Sequence, residues 1–482
     1  MAEATAPSLQ SPDADAARAA LRLSLIVAGA MFMENLDGTV IVTALPQMAK
    51  SFHVTATDLS LGVTAYMLTV ASFIPISGWA ADRFGSRNVF GGAVALFTIA
   101  SILCGLSANV TAFVAARVLQ GFAAALMSPV GRLVVIRNTP KARLMGAIAI
   151  LVWPALFAPV LGPPLGGLIS TYTSWRWIFF LNVPLGVAGA ALAYAYVPQQ
   201  KGATRRPFDS FGFATLALSL GSLVYGFDLL SRSDANPPLA AGLIVAGLAS
   251  GAVSVRHAAK AAHPLLDLKC LTVPSFTLAT VSSGSLVRVA ISATPFLLPL
   301  MFQIAYGLTP VEAGLLVLVY MGGNLMTKTI TTPVLRRFGF RNVLVATGVL
   351  NALAILACGF GAPGAAMPFT LVVLFFAGGV RSMSFTAINT LTFAEVAPEQ
   401  RSGATALQGT SQQVAFSLGV AIAAVALNSS LALRGGHVLG VADFRFAFIA
   451  MAVLALVSAA WFARLHPAAG AEVSGHKPRA AG

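Results

Sequence analysis

The sequence predicts an all-α polytopic membrane protein: two related six-helix bundles with two inserted helices between them, about fourteen transmembrane helices in all. Three observations predict it. Of the 482 residues, 57% are hydrophobic and 10% charged, where soluble domains carry roughly 25% charged residues; the mean hydropathy is +0.82. The apolar residues fall into separate windows of about 20, each long enough to cross a hydrocarbon core of roughly 30 Å as a helix. Backbone polar groups must be satisfied inside a bilayer, so spans this continuous read as helices and not as barrel strands. Finally, Arg83-Phe84-Gly85-Ser86-Arg87-Asn88-Val89 returns as Arg337-Phe338-Gly339-Phe340-Arg341-Asn342-Val343, each copy between two apolar stretches. A basic, Gly-turned loop repeated in both parts of the chain points to a duplicated bundle, a sign of secondary transporters.

In chain order, the spans are expected at 22–45, 59–80, 89–108, 111–136, 144–169 and 176–198, then 211–230 and 238–256, then 275–303, 313–334, 342–361, 367–393, 404–427 and 444–464. The repeated loop follows span two and span ten, where a plain duplication would place it after span eight. The spans at 211–230 and 238–256, flanked by the polar segments Gln199–Ser210 and His257–Cys270, account for the difference. The expected organisation is a disordered N-terminus over 1–20, a first bundle over 21–200, the inserted pair over 201–270, a second bundle over 271–466 and a disordered tail over 467–482. The N-terminus lacks the short apolar core of a signal peptide.

The net charge of +14 does not point to nucleic acid, because most basic residues lie in short loops between spans. Arg83, Arg87, Arg137, Lys141, Arg143, Lys201, Arg205, Arg206, Arg256, Lys260, Lys269, Arg336, Arg337, Arg341 and Arg401 fall on one side. Only Lys50, Arg176, Arg232, Arg434 and Arg445 fall on the other. That bias predicts an inner (cytoplasmic) membrane protein with both termini in the cytoplasm. Cys104, Cys270 and Cys358 are scattered, with no disulfide framework or metal spacing. No cofactor or metal site is expected. The chain holds no P-loop, HExxH or GxSxG pattern, which argues against an enzyme or a built-in ATPase.

Charged residues within spans are the candidate chemistry, since each costs at least ~2.5–3.5 kcal/mol to insert. Glu34 and Asp37 are spaced three apart on one face of span one. Burial and mutual repulsion favour an acid that takes up and releases a proton; a structural ion pair is the alternative, and for Glu34 so is recognition of a cationic substrate. Arg117 in span four lies at a depth similar to that of Asp37 and is the natural partner. The second half is basic: Arg288 and Arg381 fall mid-span, and no acid does. They suit an anionic or zwitterionic substrate, helix carbonyls, or pairing with Glu34. Lys328 and Arg132 are nearer span ends, where they can snorkel. Gln120, Asn324, Asn389, Gln408 and Gln412 are the polar candidates for a substrate cavity, against the plainer reading of helix–helix hydrogen bonding. In span five, Gly162, Gly166 and Gly167 permit close helix approach, and Pro163 with its neighbouring prolines removes backbone donors, a combination suited to a hinge. Gly78, Asp82, Arg83, Gly85 and Arg87 form a loop suited to a gate latch, whose ion pairs break and re-form as bundles rock.

Several motifs together resemble the major facilitator superfamily, specifically its fourteen-span drug:proton antiporters, over nearly the whole length. Gly78-Trp79-Ala80-Ala81-Asp82-Arg83-Phe84-Gly85-Ser86-Arg87 resembles the superfamily loop signature, and Arg117-Val118-Leu119-Gln120-Gly121 the span-four signature. Gly162-Pro163-Pro164-Leu165-Gly166-Gly167 resembles the antiporter signature of span five. Leu36-Asp37-Gly38-Thr39 through Ala44-Leu45-Pro46 resembles the first-span signature of the group, and Ser174-Trp175-Arg176-Trp177-Ile178-Phe179 with Asn182-Val183-Pro184 also fits. Ala158 replaces the usual first glycine of the antiporter signature, Val42 stands where Asn is frequent, and Arg336 stands in the second loop copy where Asp82 stands in the first.

The resemblance implies two bundles rocking about a central cavity and exchange of protons for a small amphipathic organic molecule. It also implies coupling through Asp37, favoured over Glu34 by its place in the motif, with proton transfer involving Arg117. Expected partners are the substrate, protons and lipid, the chain acting as a monomer. An exporter of an anionic metabolite or siderophore, or a non-transporting sensor of the same fold, are the other readings.

Overall fold

The structure, a computed structural model, describes residues 12–55, 58–139, 144–201, 207–231, 236–261, 264–266, 268–361, 367–397 and 400–476. Among them there is no strand. The first bundle holds α1 (Pro12–Phe52), α2 (Ser60–Phe73), α3 (Ile76–Phe84), α4 (Ser86–Leu106), α5 (Val110–Asn138), α6 (Leu144–Tyr172), α7 (Trp177–Phe180) and α8 (Asn182–Tyr196). The inserted pair is α9 (Ser210–Ser231) and α10 (Pro237–Lys260). The second bundle holds α11 (Pro274–Thr280), α12 (Ser283–Leu300), α13 (Pro310–Met326), α14 (Lys328–Gly359), α15 (Met367–Ala394), α16 (Arg401–Leu433) and α17 (Val441–Phe462); a short α18 (Ala471–Ser474) follows.

Twelve helical stretches among the described residues are long and apolar enough to cross a membrane. To these α6 adds 29 residues, helical throughout despite Pro154, Pro159, Pro163 and Pro164. Helix α14 is two helices joined at Gly339, whose φ of 73° breaks the helical path. Its first part continues α13 through Thr327, which keeps right-handed helical backbone angles.

The duplicated loops take the same form. Gly85 has φ 91°, a region in which side chains are strained. After Gly85, the Arg87 Nε–H donates to the Val197 carbonyl at the end of the last span of the first bundle, 2.5 Å. After Gly339, the Arg341 Nε–H donates to the Ala463 carbonyl just past α17, 3.1 Å. In each half a basic side chain thus satisfies an orphan carbonyl at a helix end.

The bundles meet along two seams, α6 against α13 and α2 against α16. Near the Lys50 end, one apolar core includes residues of both bundles, such as Val40, Phe113 and Trp175 with Leu297, Met301 and Phe444. Toward the Arg83 and Arg337 loops the cores separate, one around Val27, Phe90 and Val134 and another around Ile291, Phe340 and Leu391. A cavity opens between them. The inserted α9 packs on both α2 and α16, and so covers the second seam. An aromatic contact fixes it there, Phe213 on Phe73 of α2, 5.0 Å between ring centroids, and just before α9 Phe208 meets Trp79 of α3 at 4.7 Å.

Both ends differ from the sequence expectation of disorder over 1–20 and 467–482. Helix α1 already runs from Pro12. Residues 467–476 turn back onto the second bundle: Ala469 and Ser474 are buried, the Gly470 N–H donates to Glu395 Oε1 at 2.9 Å, and the His476 ring donates to the Arg336 carbonyl at 3.1 Å. Polar anchoring of the backbone, which composition does not report, orders this segment. Residues 1–11 and 477–482 lie outside the described residues.

Candidate functional site

The cavity between the bundles has a volume of about 1740 Å³. On α1 its wall runs from Met31 to Thr43, and on α13–α14 from Val317 to Lys328. Its mouth includes Trp79, Asp82, Arg83, Phe208, Asp209 and Lys269, so it opens at the basic end of the molecule and takes in the feet of the inserted pair. At the Lys50 end it is shut. There Gly167 of α6 lies against the Pro310 backbone and Gly314 of α13 against that of Pro163, each so close that a Cβ would collide. Gly162 and Gly166 meet Thr39, Val40 and Thr43 of α1 in the same way. The predicted hinge segment is therefore wedged between α1 and α13, one from each bundle, because only glycine lets three backbones approach so nearly. The Gln303 amide adds a bond to the Thr43 carbonyl across the bundles, 2.9 Å.

The span-one acids separate into different environments. Asp37 is fully buried behind the wall. Its Oδ2 accepts from Arg117 Nη1 at 2.6 Å, and its Oδ1 accepts from the Gln120 amide at 3.0 Å and the Asn182 amide at 2.7 Å. Ser101 Oγ accepts from the same two amides, and the Arg117 guanidinium lies 4.2 Å from the Tyr66 ring centroid. Glu34 instead stands on the cavity wall and accepts from Ser128 Oγ at 2.5 Å. One turn of α1 explains the division: a three-residue step keeps both acids on one side of the helix but points them at different neighbours. Ser101, Ser128 and Asn182 were not singled out as site residues from the sequence. Asn182 stood in a recognised motif and carried a signal; the serines carried none.

Gln120 and Arg288, predicted on the cavity surface, lie behind it. Gln120 is consumed by Asp37, Arg117 and Ser101. Arg288 is fully buried and donates to the Ala279 carbonyl at 2.7 Å and to Asn389 Oδ1 at 3.1 Å. Asn324, Arg381, Asn389, Gln408 and Gln412 do line the cavity, as do Lys328 and Arg132. In the loop, Gly78, Asp82 and Arg83 reach the mouth, and Asp82 pairs with Arg137 of α5 at 2.9 Å. Gly85 and Arg87 serve the turn itself. Among the described residues no cluster of His, Cys, Asp or Glu suits a metal ion.

At the foot of the inserted pair, Asp209 Oδ1 accepts from the Gly212 N–H at 2.9 Å and pairs with His257 at 2.8 Å, while its Oδ2 accepts from the Leu265 N–H at 3.1 Å. Partial burial opposes its ionisation, but these donors prevail and hold the Asp209 carboxyl below the usual carboxylate range.

Comparison with known proteins agrees with this architecture. The sequence pattern of the Major Facilitator Superfamily matches residues 27–255 and 280–481. The chain is 36% identical over 447 residues to the putative multidrug resistance protein MdtD of Salmonella paratyphi A, covering 91% of this chain and 94% of that one. To the protein of the same name from Cronobacter sakazakii it is 37% identical over 446 residues, covering 91% and 93%. Among solved structures, a POT family peptide transporter superposes with a TM-score of 0.66 at 17% identity, covering 92% of this chain and 97% of that one. A D-xylose-proton symporter does so with 0.65 at 16%, with the same coverage; likeness at this identity speaks to fold alone. Two six-helix halves, the repeated loop and a match over most of the chain place this protein in the major facilitator superfamily of membrane transporters.

Proposed function

We propose that the chain is a proton-coupled exporter of small amphipathic organic compounds, working by alternating access across the inner membrane, with fourteen crossings, both termini cytoplasmic and the monomer as the working unit. The observation that carries this reading is Glu34: a carboxylate at mid-span on the wall of a cavity that opens at the basic end and is shut at the other. The positive-inside bias makes the open end cytoplasmic, so this form receives cargo from within. The name of the MdtD relatives supports a multidrug type of cargo.

In this mechanism Glu34 exchanges its proton with cavity water. Asp37 and Arg117, enclosed away from the cavity, hold α1 to α5 as a neutral pair, and Asn182 ties α8 to them. The α6–α13 glycine contact parts when the bundles rock, the Asp82–Arg137 pair adjusts at the opposite end, and the cavity faces outward. A proton entering through a potential of 100 mV contributes about 2.3 kcal/mol to that cycle.

The test is transport in proteoliposomes under an imposed pH gradient, with cationic, neutral and anionic compounds. Glu34→Gln is expected to abolish gradient-driven export while downhill exchange of substrate continues. Asp37→Asn is expected to lower stability more than coupling. Full gradient-driven export by Glu34→Gln would overturn the assignment, and no movement of any compound with an intact gradient would favour a sensor over a transporter.

A further inference from the structure

Resting on the transport reading above, we infer that the cavity takes an amphipathic organic anion, whose charged group sits at Arg381 and Lys328. Both residues line the cavity. Arg381 lies mid-way along α15, too deep for its guanidinium to reach water at either end of the helix. Among the described residues its Nε has no hydrogen-bond partner, and its guanidinium lies 6.0 Å from the ring centroid of Tyr320. Gly379, two residues before Arg381, packs on Thr327, the residue before Lys328, so the two cations share one seam of the cavity wall. Two cations held together within a membrane protein call for an anion.

Among the described residues the protein does not supply one. Three carboxylates line the cavity among the described residues, Glu34, Asp82 and Asp209. Glu34 is bonded by Ser128, Asp82 by Arg137, and Asp209 by His257 and two backbone amides. None bonds Arg381 or Lys328. Two amides further along the cavity wall add donors. Asn389 Oδ1 already accepts from Arg288 and Gln408, and Gln412 Oε1 already accepts from Gln408. Asn389 Oδ1 has both lone pairs engaged, so the amide nitrogen is what that side chain has left to offer a ligand, and Gln412 keeps its amide nitrogen beside one lone pair. The two cations, with the Asn389 N–H further along α15, suit carboxylate or a similar oxyanion, and the cations repel an ammonium.

The rest of the ligand is apolar. Phe385, one turn from both Arg381 and Asn389, lies with its ring centroid 6.1 Å from that of Phe416 at 28°, and both line the cavity. An aromatic body beside the cationic pair completes the match.

The test uses three probes of one size: 2-naphthoate, 2-naphthyltrimethylammonium and 2-naphthol. Their binding to the full chain in lipid nanodiscs is measured for wild type, Arg381→Gln, Lys328→Gln and Arg381→Lys. Wild type is expected to bind naphthoate about tenfold more tightly than the ammonium compound, an arginine–carboxylate contact being among the stronger hydrogen-bonded pairs. Arg381→Gln erases that preference, Lys328→Gln reduces it several-fold while naphthol binding stays, and Arg381→Lys restores part of it. Ammonium binding equal to or tighter than naphthoate in wild type, or an unchanged preference in Lys328→Gln and Arg381→Gln, overturns the inference. Proton release is read separately. Its absence with naphthoate bound counts against coupling through Glu34 and leaves the anion site standing.

Discussion

Glu34 and Arg288 hold the same place in the two halves of this protein. The shift in sequence that carries Arg83 onto Arg337 carries one onto the other. Yet Glu34 stands on the cavity wall, and Arg288 is turned away, tied to a helix carbonyl and Asn389. The halves share a backbone plan down to the loop arginine that closes each bundle, but not a charge plan. The first half neutralises its buried cation, Arg117, with Asp37. Among the described residues of the second half, Arg288 bonds a helix carbonyl and Asn389, and Arg381 faces the Tyr320 ring. Duplication preserves what helix geometry requires, and the side chains facing the cavity are free to diverge.

The sharpest break in the comparison is removal of each buried arginine. Arg117→Met leaves the Asp37 carboxyl enclosed without its cation, and is expected to cost about 3–5 kcal/mol, read as loss of monodisperse protein and a lower unfolding temperature. Pairing it with Asp37→Asn should recover much of the loss. Arg288→Met strands no carboxylate and should cost less, about 1.5–3 kcal/mol for its charged hydrogen bonds. Equal losses for the two single variants would contradict the contrast between the halves.

The loops test the shared part of the plan. Gly85→Ala and Gly339→Ala each place a Cβ at positive φ, against Gln199 in one case and His476 in the other, at about 1–3 kcal/mol each. Hydrogen exchange at the ends of α4 and of the second part of α14 should rise similarly in both. A silent change in either loop breaks the symmetry argument. Asp82→Arg makes the first loop match the second, which has Arg336 there. The Asp82–Arg137 pair is partly exposed, so stability should fall by less than about 1 kcal/mol, and a change in transport rate without unfolding would mark the pair as a gate.

The smallest expected effect concerns the inserted pair, which has no counterpart in either half. The Asp209 carboxyl is held below its ordinary value, so its contribution is complete above the unfolded carboxylate range and is lost as pH falls through the lowered value, below about pH 4. Trp79, in contact with Phe208 beside it, should report the loosening by its fluorescence only there. Asp209→Asn should show the change at neutral pH.

Much of the fold was legible because bilayer crossing imposes length and hydropathy on each helix, one segment at a time. The positions of Glu34, Asp37 and Arg117 were legible too, since charge within an apolar window stands out. What each contacts was not. Three residues of helix separate an acid that meets the cavity from one sealed behind it, and the outcome depends on Ser128 and Asn182, brought in from other helices. Lys328 read as a residue able to snorkel, yet it lines the cavity near Arg381. The tail read as disordered by composition, yet Glu395 captures its backbone.

By itself the sequence determined the membrane, the helices, the duplication and the inserted pair, because these follow from local composition and period. Only the tertiary structure decided which charges are neutralised inside the protein and which face the cavity. A hydrogen bond is satisfied by whatever group lies within about 3 Å, and that neighbour is chosen by helix packing across the whole bundle.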